Sequence, residues 1–142
     1  MKEALTVLVT GGNRGTGLAS AKLFADAGHR VAVTSRDPDV TDDRIFSVAC
    51  DQTDSDAVDV AFAAIEAELG AVQVLVANAG ITRDQLLLRM SDDDFIEVVD
   101  TNLNGAYRVA RRAARPMLRA RWGRLIFISS VVGLLGSAGQ VN

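Results

Sequence analysis

Short apolar runs rich in Val, Leu and Ile alternate along the chain with longer stretches whose apolar positions recur at helical spacing. The short runs suit strands buried on both faces, the longer stretches suit amphipathic helices, and their alternation predicts a doubly wound parallel α/β sheet. Ala4 to Thr10 predicts the first buried strand. Leu18, Ala21, Leu23, Phe24 and Ala25 then share one helical face, and Gly28 supplies a C-terminal cap. Arg30 to Ser35 reads as a second strand, after which Asp37-Pro38-Asp39 opens a polar loop. A third strand is expected over Ile45 to Cys50. Thr53 and Asp56 have capping-box spacing, and the helix they open turns Val58, Phe62, Ile65 and Leu69 inward before ending at Gly70.

Gln73 to Ala77 predicts a fourth strand, closed by Asn78-Ala79-Gly80. Ser91 and Asp94 repeat the capping arrangement at the head of another helix. A long helix is expected from Asn102 to Ala120, with Val109, Ala113, Met117 and Ala120 along one side. Pro116 lies inside it and cannot donate its backbone hydrogen bond, which predicts a kink there. Arg124 to Ser129 is the fifth strand, and the small, glycine-rich remainder from Ser130 to Asn142 reads as a loop. Without a repeat, a low-complexity tract or a linker, residues 1–142 are expected to form one domain.

Composition narrows the function classes. Hydrophobic residues make up 49% of the 142 and charged residues 23%, the balance of a globular protein. A net charge of -3 argues against a dedicated binder of nucleic acid or of a membrane surface. Cys50 is the sole cysteine and His29 the sole histidine, so neither a disulfide nor a metal site is expected. Cys50 reads as a small core residue and His29 as a solvated turn residue. Met1-Lys2-Glu3 leads straight into an apolar strand, not into a signal peptide, and no apolar run approaches the ~20 residues of a membrane span. A cytoplasmic location follows as the expectation.

The chemistry begins where the first strand ends. Thr10-Gly11-Gly12-Asn13-Arg14-Gly15-Thr16-Gly17 joins that strand to the first helix. A strand-turn-helix of this kind aims backbone N–H groups and the positive helix end at an anion. Its glycines permit a tight turn, close approach of a pyrophosphate and close packing of helix on strand. The bland alternative is a glycine-rich turn with no ligand. The βαβ context favours a dinucleotide site in a Rossmann-type sheet.

The end of the second strand bears on which dinucleotide. A site for NAD expects Asp or Glu there to accept from the ribose hydroxyls. Thr34-Ser35-Arg36 stands there instead, so a 2′-phosphate could pair with Arg36 and with Arg14 of the turn. NADP is therefore the expected cofactor. The alternative is two solvated surface arginines.

The glycine turn reads Thr-Gly-x-x-x-Gly-x-Gly, and it is followed in order by Asn78-Ala79-Gly80, Thr101-Asn102-Leu103 and Ile128-Ser129-Ser130. With these motifs the whole chain resembles the short-chain dehydrogenase/reductase family. Thr-Gly-Gly-Asn-Arg-Gly at 10–15, Val-Ala-Val-Thr at 31–34 and Ser-Ser-Val-Val-Gly at 129–133 resemble, within it, the β-ketoacyl-acyl-carrier-protein reductases, especially the actinobacterial mycolic-acid type. The resemblance implies the first five strands of that fold. It implies that Gly11, Asn13, Arg14, Gly15 and Gly17 bind the cofactor, with Ser35, Arg36, Asp51, Asn78, Ala79 and Gly80. Asp51 matches the family residue that contacts the adenine amino group, although a turn acid ahead of a helix would look the same. Asn78 would brace the sheet near the cofactor ribose. Asn102 matches the asparagine that holds a water in the proton relay, and otherwise would be a helix cap. Ser130, next to Val131-Val132-Gly133, matches the serine that hydrogen-bonds the substrate carbonyl.

In the family reaction NADPH gives a hydride to a ketone carbon while a tyrosine protonates the oxygen. A lysine four residues later lowers the tyrosine pKa and holds the ribose. Gly136, Gly139, Gln140 and Asn142 fit the lead-in to that Tyr-x-x-x-Lys motif, and the sequence stops there. Tyr107, Lys2 and Lys22 are in the wrong places for these roles. The sequence is thus expected to be part of a longer reductase, the alternative being a truncated protein.

Arg108, Arg111, Arg112, Arg115, Arg119 and Arg121 crowd the long helix and its end, and most are expected on its solvated face. Arg121 matches a basic position implicated in carrier-protein docking in the similar reductases, and Arg124 lies close by. Trp122 is expected to cap the long helix against the sheet. The resemblance implies a homotetramer or homodimer packed through the long helices. It also implies β-ketoacyl substrates carried by acyl carrier protein or CoA. A short-chain oxidoreductase acting on another ketone or alcohol, and a non-catalytic nucleotide-binding module, remain alternatives.

Overall fold

The computed structural model describes residues 4–142. Five strands, β1 (Thr6–Thr10), β2 (Arg30–Ser35), β3 (Ile45–Ala49), β4 (Val74–Ala77) and β5 (Arg124–Phe127), form one parallel sheet. Their order is β3-β2-β1-β4-β5, so the chain reverses direction across the sheet between β1 and β4. That reversal is the switch point of a doubly wound fold, at which α/β proteins bind ligands beyond the strand carboxyl ends.

Val9 of β1 lies opposite Val33 of β2 and Val76 of β4, which fixes the register of the central strands. All five residues of β1 are buried, because helices cover both faces of the sheet. Val7 and Val9 pack with Val31, Val33, Val74 and Val76 on the side of Ala21, which belongs to α1 (Gly15–Asp26). Leu8 and Leu75 point the other way, onto Val58, Phe62 and Ile65 of α2 (Ser55–Leu69) and Val109, Ala113 and Met117 of α4 (Gly105–Ala120). Fully burying one such side chain stabilises by about 1.5–3 kcal/mol.

Helix ends follow the local chemistry, with two departures from the expected pattern. α1 ends at Gly28 (φ +84°), where the His29 and Gly28 N–H groups donate to the Phe24 and Ala25 carbonyls. This is a Schellman closure that only a left-handed residue allows cheaply. Leu23, expected inward, is 70% exposed, while Leu18, Phe24 and Ala25 pack against the core. The cap of α2 is Asp54 and not Thr53: Asp54 accepts from the Asp56 and Ala57 N–H groups. The Thr53 hydroxyl instead donates to Asp51 at 2.7 Å. His29 is half-buried, its Nδ1 accepting from the Leu5 N–H at 3.2 Å.

The expected long helix starts earlier than its apolar stripe. α3 (Asp92–Val99) opens with the Ser91–Asp94 capping box and runs through a π-helical turn, Asp100–Asn104, directly into α4. Pro116 sits inside α4, which continues to Ala120. Ala120, expected on the buried side, is exposed. Two of the arginines expected to be solvated are paired. Arg108 meets Asp100, and Arg112 meets Glu66 and Asp59 while lying over the Phe62 ring. The stretch expected to be a loop after Ser130 contains a short helix, α5 (Val132–Leu135). Trp122 is partly exposed, with Arg124 stacked on its ring. No helix among the described residues is long and apolar enough to cross a membrane.

Candidate active site: a cleft at the switch point

Beyond the carboxyl ends of β1 to β4 lies a cleft of about 470 Å³. Its walls are the glycine turn, the segment after β2, the segment after β3, and Asn78 to Ile81 after β4. All eleven residues expected at the cofactor line it: Gly11, Asn13, Arg14, Gly15, Gly17, Ser35, Arg36, Asp51, Asn78, Ala79 and Gly80. Asn102 and Ser130 are not in its lining.

The turn is shaped by close backbone approaches. The Gly11 and Gly12 N–H groups both donate to the Thr34 carbonyl, which draws the turn over the end of β2. A Cβ on Gly17 would sit 2.3 Å from the Gly11 carbonyl oxygen, and one on Gly12 2.4 Å from Val33. Gly15 is different. It has φ +54° and nothing within 4 Å of its Cβ position, so the turn is open there. The first amides of α1 have no partner within a helix, and no acidic residue occupies its first turn. An open glycine beside free helix-end amides fits a phosphate.

Thr10 locks the next wall in place, a role that its type and position did not signal. Its buried Oγ1 accepts from the Asn78 and Ala79 N–H groups, each at 3.1 Å. Asn78 returns the tie, its Nδ2 donating to the Thr10 and Gly11 carbonyls at 3.0 and 3.2 Å. These bonds tie the segment after β4 to the glycine turn. Asn102 lies in the π-helical turn and pairs with both backbone groups of Ile81: its Oδ1 accepts from the N–H at 2.8 Å and its Nδ2 donates to the carbonyl at 2.9 Å. Its side chain is thus an internal staple between the segment after β4 and the π turn.

On the far wall, the Asn13 side-chain amide and the Ser35 hydroxyl both donate to the Asp37 carbonyl, at 3.2 and 2.7 Å. Arg14 and Arg36 are exposed and take part in none of the ion pairs among the described residues. Asp51 accepts from the Thr53 N–H and hydroxyl, which hold its carboxyl below the usual range, with Arg36 adding to the effect. Asp37 also lines the cleft, so the wall carries two carboxylates beside the two guanidinium groups. Cys50 lines it too, and burial pushes its thiol up to about 11, which keeps it protonated and unreactive at neutral pH.

Residues 5–142 match the family model for short chain dehydrogenases. The chain belongs to that family. Its sequence is 53% identical over 137 residues to the 3-oxoacyl-[acyl-carrier-protein] reductase MabA of Mycobacterium avium, covering 96% of this chain and 53% of the relative. It is equally similar to MabA of Mycobacterium tuberculosis, covering 55% of that protein. The 3-oxoacyl-[acyl-carrier-protein] reductase FabG of Chlamydia muridarum is 42% identical over 150 residues, with 59% of its length covered. The chain therefore spans just over half the length of these relatives. Membership of the family implies a nicotinamide cofactor, and the glycine turn and its helix end suit the pyrophosphate of one.

Ser130 stands three residues beyond the register of β5, exposed, its Oγ accepting from the Val132 N–H at 3.2 Å. Its hydroxyl proton is left free to be donated elsewhere. Tyr107 is on the exposed side of α4 with Arg111 over its ring, and is absent from the cleft lining.

Proposed function

We propose that the protein carrying this sequence is a cytoplasmic, NADPH-dependent reductase that converts β-ketoacyl thioesters to 3-hydroxyacyl thioesters in fatty-acid synthesis. The observation that carries the proposal is the convergence of all eleven expected cofactor residues on one cleft, in a chain similar to 3-oxoacyl-[acyl-carrier-protein] reductases. Gly11, Gly15 and Gly17 cradle the pyrophosphate, Asp51 meets the adenine, and Arg14, Ser35 and Arg36 receive the 2′-phosphate. Bound there, the cofactor supplies the hydride.

The chain's own residues supply positioning and polarisation of the substrate carbonyl; the proton for its oxygen would come from the tyrosine of the family's Tyr-x-x-x-Lys motif. Asn78 holds the glycine turn against the end of β4, beside the ribose. Ser130 donates its free hydroxyl proton to the substrate carbonyl, which polarises it toward reduction. Asn102 acts in the proton relay through its place in the π turn. Arg121 and Arg124 flank a groove of about 500 Å³ with Met117, Leu118 and Trp122. Their charge suits an acidic carrier protein bearing the acyl chain. Exposed apolar side chains on the long helices, among them Phe95, Ile96, Leu103 and Leu118, support pairing of subunits through α3 and α4 into a dimer or tetramer.

Loss of NADPH absorbance with acetoacetyl thioesters, followed with the full-length protein that carries this sequence, tests the proposal. Rapid turnover of the β-ketoacyl thioester is expected, and Ser130→Ala should lower kcat while leaving the Kd for NADPH unchanged. Arg121→Glu should raise KM for the carrier-bound substrate but not for the CoA thioester. Turnover of other ketones alone would reassign the substrate, and binding without turnover would make the protein a nucleotide-binding module.

A further inference from the structure

Gln52 follows Asp51 at the end of the β3 segment, lines the cleft, and is 7% exposed. Its Nε2 donates to the Thr101 carbonyl at 2.7 Å and to the Ala79 carbonyl at 3.1 Å. One side-chain amide thus joins three separate stretches of chain: the segment after β3, the segment after β4, and the start of the π turn. Its Oε1 is buried and has no hydrogen-bond partner. A side chain selected for packing alone would be apolar at such a place, because an unpaired buried acceptor is costly. The two N–H bonds are what an apolar residue could not supply.

The surroundings are fitted to this side chain. A Cβ on Gly105, the first residue of α4, would lie 2.6 Å from the Gln52 Cγ and 2.7 Å from its Nε2. The glycine leaves room for the amide to reach both carbonyls. Asn102 staples the π turn to Ile81, so Gln52 adds what Asn102 lacks: a link to the wall that carries Asp51. Asp51, Ala79, Ile81 and Thr101 all line the cleft, on walls that the Gln52 amide joins.

We propose that Gln52 is a positioning residue for the dinucleotide, setting the distance between the Asp51 wall and the Asn78–Ile81 wall of the cleft. The inference rests on the cofactor reading above and assigns to that site a residue whose side chain acts through its neighbours. Losing the amide lets the two walls move independently, so the same contacts bind the cofactor less well.

The test is Gln52→Met, which keeps the length of the stem and removes both N–H donors. Fluorescence titration with NADPH should show a Kd raised about tenfold, equivalent to about 1.4 kcal/mol. Hydrogen exchange should accelerate at the amides of residues 80–81 and 101–103. Val58→Ala, which opens the core under α2, is the control: it lowers Tm and leaves the Kd for NADPH unchanged. Gly105→Ala displaces the same side chain from the other side, and should weaken binding in the same direction should the methionine variant fail to fold. Unchanged Kd in either folded variant overturns the positioning role, as does an equal loss in Val58→Ala. If the wild-type protein binds neither NADPH nor NADH, the cofactor reading falls and takes the positioning role with it. If the wild type binds and Gln52→Met binds equally well, only the positioning role falls.

Discussion

At the residue scale, the proposed preference for NADP rests on a few charges on one wall. Arg14 and Arg36 are unpaired among the described residues, whereas Arg44, Arg83, Arg108 and Arg112 each hold a carboxylate. An exposed guanidinium without a partner has no ion pair to break when a phosphate arrives. Against this stand Asp37 and Asp51, which line the same wall. The Asp37 carbonyl is engaged by Asn13 and Ser35, and Asp51 by Thr53, so both segments are held in place by neutral donors. A hydrogen bond to a charged group contributes about 1.5–3 kcal/mol, or roughly 10- to 100-fold in affinity. Arg36→Glu should therefore raise the Kd for NADPH by at least about tenfold while changing that for NADH far less. Equal NADPH and NADH affinities in the wild type would sink the NADP assignment.

The same scale shows what could be read from sequence and what could not. Glycines, Asn78 and the arginines announce themselves, because their chemistry is tied to a fixed place in a strand-turn-helix. Thr10 and Gln52 do not. Thr10 is one more β-branched residue at the end of a strand, and Gln52 a polar residue in a polar loop. Their roles exist only once residues 68 and 69 positions apart, or 27 and 49, are brought together. Long-range hydrogen bonds of this kind leave no local pattern.

At the scale of elements, β2 falls where its apolar run places it, and the other strands differ only at their ends. Helix starts were harder, since Thr53 and Asp54 are both good caps and only the carboxylate of Asp54 reaches two amides. The join of α3 to α4 was invisible for a different reason. The π-helical turn shifts the helical phase, so the apolar stripe of α4 does not continue back into α3. The acids at these joints give a pH signature. Hydrogen bonds from Ser91 hold the Asp94 carboxyl below its usual range, and those from Asn104 and then Arg108 do the same for Asp100. A carboxyl depressed in the folded state is protonated first in the unfolded chain. Its contribution is thus complete above the usual Asp value of about 3.9 and is lost as pH falls through the lower folded value. Thermal unfolding should show Tm falling below about pH 4, and Ser91→Ala should flatten that fall by removing the hydroxyl bond, the larger of the two that depress Asp94. A Tm profile identical in the two proteins would contradict the assignment.

At the scale of the whole molecule, the burial of the sheet is uneven, and this has a consequence for the polypeptide of these 142 residues taken alone. β1 and β4 are covered on both faces, whereas every residue of β5 is exposed and β5 pairs with β4 only. Leu125, Ile126, Phe127 and Ile128 are each 40–55% exposed, and Val131, Leu134 and Leu135 extend the same apolar surface into α5. An edge strand with a free row of N–H and C=O groups and apolar side chains is a template for further pairing. A continuous apolar patch on this scale favours association over solvation. The 142-residue polypeptide should therefore run above its 15.1 kDa mass by light scattering, and should bind a hydrophobic dye strongly. A lysine at position 127 places a charge in the middle of the patch while leaving the cleft lining unchanged. Phe127→Lys should shift the species toward monomer and cut dye binding severalfold, with the Kd for NADPH unchanged. A wild-type polypeptide that is monomeric and binds no dye would show that this surface is protected in some way that burial and strand pairing do not reveal.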